Sequence, residues 1–239
     1  MANLTCAVIV LAGGRSRRLN GVTKGLLLAG GRTLLEHGLF AAADACHRVV
    51  AGLPELPVPD GVSLVREDPP FGGPVAGIAA GMDELARLGC RAEWVFVLAC
   101  DHPYAESAAE ALFAMVEERP SRRPQAASSG TGTSVSKPPT VEERGTSVSK
   151  PPLDHLDLIT PTDSTGHRQT LFALYRRTAL VDALARVGGG HNCSAKRLVA
   201  DLRTWSPVLP DGLLIDIDDP AAAAAAGIAL PHPEVLPQP

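Results

Sequence analysis

Between Cys6 and Leu11 the chain reads C-A-V-I-V-L, an apolar, β-branched run that stops abruptly at Gly13-Gly14. A run of this length with no polar alternation predicts a strand buried on both faces. Two glycines straight after it predict a sharp turn at which bare backbone comes close to a ligand. A strand of this kind belongs in a parallel sheet, so the first fourteen residues already point to an α/β layer architecture.

Charge narrows the ligand. The first acidic residue is Glu36, and Arg15, Arg17, Arg18, Lys24 and Arg32 all precede it, so the opening 35 residues carry +5 in a chain of net charge -4. Glycine N–H groups, forked guanidinium donors and an ammonium point charge together suit a phosphate. Two familiar phosphate loops do not fit. A Walker loop needs Gly-Lys followed by Ser or Thr, whereas Lys24 lies between Thr23 and Gly25; a dinucleotide fingerprint needs G-x-G-x-x-G, which Gly13 to Arg18 does not provide.

Further along, Thr33 and Glu36 form a capping box opening a helix to about Ala45. Arg48 to Ala51 and Val62 to Val65 read as strands, separated by the proline-rich turn Pro54 to Gly61. The loop from Arg66 ends in Gly72-Gly73-Pro74 ahead of a helix from Val75 to Leu88 that Gly89 stops; on its residues alone the segment reads either as a plain loop with glycines or as a start that aims N–H groups at an anion or a base carbonyl. Trp94 to Ala99 reads as a buried strand delivering Asp101 at its carboxyl end, where ligands lie in open α/β sheets, and an aspartate there suits Mg2+ on a triphosphate. The ordinary alternative, a cap for the next helix, is weakened because Ser107 and Glu110 supply a box of their own. His102 is adjacent and is given no catalytic role.

The segments Leu156 to Pro161 and Thr170 to Tyr175 suggest a hairpin or edge addition to the sheet. Helices from Thr178 to Val187 and from Ser194 to Arg203 follow, then a last strand from Leu213 to Ile217, with Asp219 and Pro220 opening a final alanine helix. Gly132 to Pro139 recurs as Gly145 to Pro152, and two copies of so short and polar a unit build no solenoid. The expected organisation is one domain over 1–230, interrupted by a disordered low-complexity insertion over 119–152, with a proline-rich tail over 231–239.

Hydrophobic residues at 45% support a globular body, while aromatics at 4% and the lack of a basic stripe beyond the first loop argue against a nucleic-acid partner. Five scattered cysteines with no C-x-x-C suggest neither a disulfide framework nor a zinc site, and they imply a reduced, cytoplasmic setting. The first apolar run lacks a preceding basic residue and a cleavage region, and Ala221 to Ala226 is too short to span a bilayer, so a soluble chain with no membrane partner is expected.

Leu11-Ala12-Gly13-Gly14, Arg18, Leu19, Gly21 and Lys24 stand at the spacing L-A-G-G-x-x-x-R-[ML]-x-G-x-x-K, which resembles the signature of nucleoside-triphosphate transferases. With Lys24-Gly25-Leu26-Leu27 the chain resembles the molybdenum cofactor guanylyltransferases in particular. The resemblance resumes at Asp68, at Gly73-Pro74-Val75-Ala76-Gly77, at Cys100-Asp101-His102-Pro103 and at Ile215 to Pro220. It implies a Rossmann-like three-layer sandwich with a mostly parallel central sheet, and transfer of GMP from GTP to the terminal phosphate of molybdopterin with release of pyrophosphate.

In that likeness Leu11, Ala12, Gly13, Gly14, Lys24, Asp68, Gly73 and Asp101 bind the nucleotide. Lys24, Arg18 and Asp101 carry the chemistry, Asp101 with Asp218 holds Mg2+, and Arg168 and Gln169 face the pterin. A molybdoenzyme or another cofactor-biosynthesis protein is the implied partner. Three departures stand out: Leu19-Asn20 in the loop, Ala51 where the family has a nucleotide-contacting Asn, and aspartates for the late asparagines. Cytidylyl transfer, transfer to a sugar phosphate, and a non-catalytic nucleotide-binding regulator remain as alternatives.

Overall fold

The computed structural model describes residues 4–14, 17–19, 21–117 and 150–230. In chain order it holds β1 (Cys6–Ala12), β2 (Leu28–Ala29), β3 (Arg32–Thr33), α1 (Leu34–Phe40), β4 (Arg48–Gly52), β5 (Val62–Val65), α2 (Pro74–Arg87), β6 (Trp94–Ala99) and α3 (Ala105–Glu117). After residues 118–149 come β7 (Leu158–Ile159), β8 (Phe172–Arg176), α4 (Arg177–Arg186), α5 (Ala195–Leu198), β9 (Thr204–Trp205) and α6 (Pro220–Ala225).

Seven strands form one sheet in the order β5-β4-β1-β6-β8-β7-β9. Among the described residues only β8 runs against its neighbours, pairing antiparallel with both β6 and β7. The period-2 alternation of a strand then sorts β1 between two cores. Val8 and Val10 join Leu35, Leu39, Phe96, Leu112 and Phe172 on the face covered by α1 and α3. Ala7, Ile9 and Leu11 join Val75, Ile78, Met82, Val97 and Leu180 on the face covered by α2 and α4. The chain thus forms the three-layer, mostly parallel sandwich expected, and among the described residues no helix is long and apolar enough to cross a membrane.

Several expected boundaries move. The first helix ends at Phe40 instead of near Ala45, because residues 41–45 close into tight turns that bring the Cys46 N–H to the Cys6 carbonyl (2.9 Å) and so feed β4 in beside β1. The capping box at Ser107 does not form. Helix α3 has already begun at Ala105, with the Ala108 N–H bonded to the Tyr104 carbonyl, so Ser107 lies inside the first turn.

The helix expected from Ser194 to Arg203 is the single turn of α5, still capped by the Ser194 hydroxyl. Arg203 is claimed instead by a forked pair with the Asp157 carboxylate, at 2.8 Å on each arm, which aligns β9 beside β7. The strand expected over Leu213 to Ile217 is not one: the segment has no sheet neighbour and crosses the carboxyl ends of the strands, where the Ile217 N–H donates to the Asp101 carbonyl. The expected insertion lies outside the described residues except for 150–152, where Lys150 donates to the Val116 carbonyl of α3. The tail over 231–239 also lies outside them.

Packing of α2 on β1 needs a residue with no side chain at position 81. A Cβ there would sit 2.7 to 3.0 Å from three side-chain carbons of the fully buried Ile9. Gly81→Ala should therefore lower stability by about 1–3 kcal/mol through overpacking, against about 1 kcal/mol returned as helix propensity. Urea unfolding of Gly81→Ala, alone and combined with Ile9→Ala, tests this: the combination should lose less than the sum of its parts.

Candidate active site

Strand β1 ends at Ala12, and Gly14 follows at a φ of 126°, a conformation open to glycine alone at no cost. The turn leads through Arg18 to a 3-10 turn from Lys24 to Leu26. A third, smaller core fixes this loop: Leu19, Leu27 and Leu34 are buried together with Ile217, Ala223 and Ile228 of the C-terminal segment. Burying those six side chains folds the end of the chain over the first loop, and Asp218 arrives beside Lys24 as a consequence.

The Lys24 ammonium then bridges two carboxylates from opposite ends of the sequence, donating to Asp218 Oδ1 at 2.6 Å and to Asp101 Oδ2 at 3.2 Å. Side-chain exposure is 19% for Lys24, 20% for Asp101 and 56% for Asp218. Burial opposes the charge on Lys24, but the bond to Asp218 and the Asp101 charge outweigh it, so its pKa is raised. The bond to Lys24 lowers the pKa of Asp218, against a smaller effect of burial.

Behind Asp101 lies His102, only 2% exposed and packed edge-on against Phe172 at 5.1 Å. Its Nε2 is 3.9 Å from Asp101 Oδ1 and its Nδ1 is 3.1 Å from Asp216 Oδ1. Burial raises the Asp216 pKa first of all; His102 pulls it down, and Asp101 and Asp218 push it up. Gln169 lowers it slightly. It does not reach the cavity described next, nor does Arg168, which is exposed.

A cavity of about 750 Å³ opens over the carboxyl ends of β5, β4, β1 and β6. Gly13, Gly14, Arg18, Lys24, Asp101 and Asp218 line one end; Glu67, Phe71, Gly73 and Pro74 line the other, with Leu11, Ala51 and Gly77 between. Gly73 caps α2 at φ 92° and ψ 179°, again glycine territory, and Pro74 occupies the first helical position. The fourteen-residue α2 therefore directs its N-terminal dipole end into the cavity.

A MobA-like NTP transferase domain matches this chain over residues 8–205, which takes in the loop, both glycine turns and Asp101. The chain belongs to the MobA-like NTP transferase family. A Bradyrhizobium protein named molybdenum cofactor guanylyltransferase is 37% identical over 100 residues, 40% of this chain and 47% of its own, so the chain spans about half the length of that curated relative. A solved Archaeoglobus fulgidus protein, described as molybdopterin-guanine dinucleotide biosynthesis protein A, shares the fold. It gives a TM-score of 0.57 at 18% identity over 92% of this chain and 96% of its own. A Mycobacterium tuberculosis protein solved in complex with manganese has a TM-score of 0.56 at 14% identity over 93% of this chain and 97% of its own.

Within this MobA-like frame, the sequence-derived residues Leu11, Gly13, Gly14, Arg18, Lys24, Gly73, Asp101 and Asp218 face one cavity. Ala12 is buried beside it and Asp68 is exposed outside its lining, while Glu67, one position earlier, lines it. Phe71 and Leu171 also line it without having been singled out, and Asp216 stands close behind. Phe71 carried a usable signal, one of five phenylalanines in the chain and set between Pro-Pro and Gly-Gly. It adopts φ 64°, is 42% exposed, and donates its N–H to Glu67 Oε1 at 2.9 Å. Asp216 carried none, since it lies within the stretch from Leu213 to Ile217 that read as a strand.

The Lys24 bridge has a definite pH window. The Asp218 side contributes fully above the ordinary carboxylate value of 3.8 and fades as pH falls through the lowered value; the Lys24 side contributes fully below 10.5 and fades as pH rises through the raised one. Lys24→Gln should move the Asp218 pKa upward. Carboxyl carbon NMR titration of wild type and variant reads this directly, and an unmoved Asp218 would mean that Lys24 does not hold it.

Proposed function

We propose that this chain is a nucleotidyltransferase that moves GMP from GTP to the terminal phosphate of molybdopterin, releasing pyrophosphate. The observation that carries the reading is the Lys24 ammonium between Asp101 and Asp218 at the glycine-turn end of a cavity of nucleotide size. An oxygen of the acceptor phosphate attacks the α-phosphorus of GTP, and the bond from that phosphorus to the oxygen bridging to the β-phosphorus breaks. No general base is needed, because the attacking phosphate is already ionised.

The difficulty is bringing two anions together and stabilising charge on the leaving pyrophosphate. Lys24 and Arg18 supply positive charge at that end, and the backbone N–H groups of Gly13 and Gly14 supply donors. Asp101 and Asp218 suit a hard divalent cation: both are carboxylates that share one cationic partner, Lys24, and with that ammonium turned to the bound phosphates the two would be free to hold the ion in a set of oxygen ligands. Mg2+ held there would act as Lewis acid and template.

Strand order supports a place for the nucleoside at the other end. Glu67 follows β5 and Asp101 follows β6, three strands away, a separation of about 14 Å at about 4.8 Å per strand. Phosphates at the β1–β6 end therefore leave the nucleoside over β4 and β5, against the exposed ring of Phe71 and the carboxylate of Glu67. A carboxylate accepts hydrogen bonds only, so Glu67 favours a base edge rich in N–H donors, as guanine's is. Molybdopterin as acceptor, and a cofactor-biosynthesis protein or molybdoenzyme receiving the product, follow from likeness to the relative named above.

Pyrophosphate release should be seen with Mg2+, GTP and molybdopterin together, and should be far slower with CTP, ATP or UTP. Asp101→Ala should reduce it by more than about 100-fold, the scale of losing one electrostatic stabiliser, while circular dichroism stays unchanged. Glu67→Gln should narrow the GTP preference over CTP without removing turnover. Release with CTP in place of GTP would move the assignment to cytidylyl transfer, and GTP binding with no release in any mixture would favour a nucleotide-binding regulator.

A further inference from the structure

The sheet has a second edge. Cys6 is the first residue of β1, Cys46 and His47 immediately precede β4, and Cys90 follows α2 a few residues before β6. In parallel strands all four stand at the amino ends, opposite the carboxyl ends that carry the cavity. Their spacing in sequence shows nothing, yet the fold brings one ligand atom from each of Cys46, His47 and Cys90 within 4.8 Å of one another.

We propose that Cys46, His47 and Cys90 bind a transition-metal ion of the zinc class at this edge. Metal–sulfur bonds of about 2.3 Å and metal–nitrogen bonds of about 2.0–2.1 Å in a tetrahedron place ligand atoms roughly 3.5–3.8 Å apart, so closing the site takes side-chain adjustments of about 1 Å. The backbone holds the three residues in place for that. The Cys46 N–H bonds to the Cys6 carbonyl and the His47 carbonyl accepts from the Val8 N–H, both at 2.9 Å. Cys90 is fixed by the Schellman end of α2, its N–H on the Leu85 carbonyl at 2.9 Å and the Gly89 N–H on the Ala86 carbonyl at 3.0 Å.

Two thiols and an imidazole, with no carboxylate, select zinc-class ions over the oxygen-seeking Mg2+ and Mn2+. Cys6 is near enough to feel Cys46 and Cys90 but is not one of the three clustered ligands: its thiol donates to the Ala7 carbonyl at 3.1 Å, and burial above all pushes its pKa up to about 12. Access is open, because Cys46 is exposed and a cavity of about 360 Å³ is lined by Cys46, His47, Arg48 and Ser63. Three protein ligands leave a fourth position for water or a small anion reaching that cavity.

The test uses the full chain, reduced and free of oxygen, titrated with Co2+ alone. One equivalent should raise a near-ultraviolet thiolate-to-cobalt charge-transfer band, which carboxylates cannot give, and one equivalent of Zn2+ should bleach it while excess Mg2+ does not. Cys46→Ser, at an exposed position that leaves the core intact, should cut the band to half or less and weaken Zn2+ binding by more than the 10–100-fold that loss of an outer-shell partner costs. Asp101→Ala should keep the band, which separates this site from the nucleotide cavity. No band in the reduced wild type, or a band of undiminished intensity in Cys46→Ser, overturns the proposal.

Discussion

Segments 77 and 194 residues apart in sequence meet at one ammonium group, that of Lys24. Two carboxylates brought this close repel unless a cation lies between them, and the half-buried setting makes the cation worth more than at an open surface. The pair alone could not bring the chain ends together, since ion pairs with an exposed member contribute little. The small core of Leu19, Leu27 and Leu34 against Ile217, Ala223 and Ile228 does that, and the charges settle register once the apolar residues have met. Lys24 is thus a consequence of packing and a condition for it: without a cation at that point, the C-terminal segment would bring Asp218 against Asp101 uncompensated.

What could be read in the sequence and what could not divide by the range of the forces involved. Strand β1, the glycine turn, the Thr33 capping box, helix α2 and strand β6 are specified by residues next to one another, and the structure has them where the pattern puts them. The misplaced elements were settled by distant partners. Asp157 claims Arg203 and shortens a helix, Cys6 recovers the chain at Cys46 and shortens another, and Asp101 takes the Ile217 N–H so that no strand forms. The Ser107 box failed because a pattern of residue types at the correct spacing still needs the helix to begin there, at Ala108, and α3 begins three residues earlier, at Ala105.

The site divides in the same way. Residues on the glycine turns and strand ends were legible because their chemistry follows from local geometry. Glu67 was overlooked beside Asp68, since two acids in succession differ only in which way the backbone turns them, and this loop turns at Phe71 with a positive φ. Buried His102 and partly buried Asp216 face each other at 3.1 Å, a pairing that no spacing rule predicts from residues 114 positions apart. The three ligands at the far edge are the extreme case, two adjacent in sequence and the third brought in by the end of a different helix.

Helix α2 joins the two edges mechanically. Its first turn, from Gly73 and Pro74, is part of the cavity wall, and its last turn, through Gly89, presents Cys90 to Cys46 and His47. Fourteen residues at 1.5 Å each make a rod of about 21 Å, matching the seven-residue β1 beneath it, about 23 Å at 3.3 Å per residue. Along that length the helix lies on β1 with Gly81 over Ile9 and Gly77 over Leu11, contacts too close to permit sliding without repacking the core. The amino end of α2 is therefore held by the same contacts that hold its carboxyl end, and a dipole aimed at phosphate needs that rigidity, because a donor that must reorganise when charge develops stabilises it less.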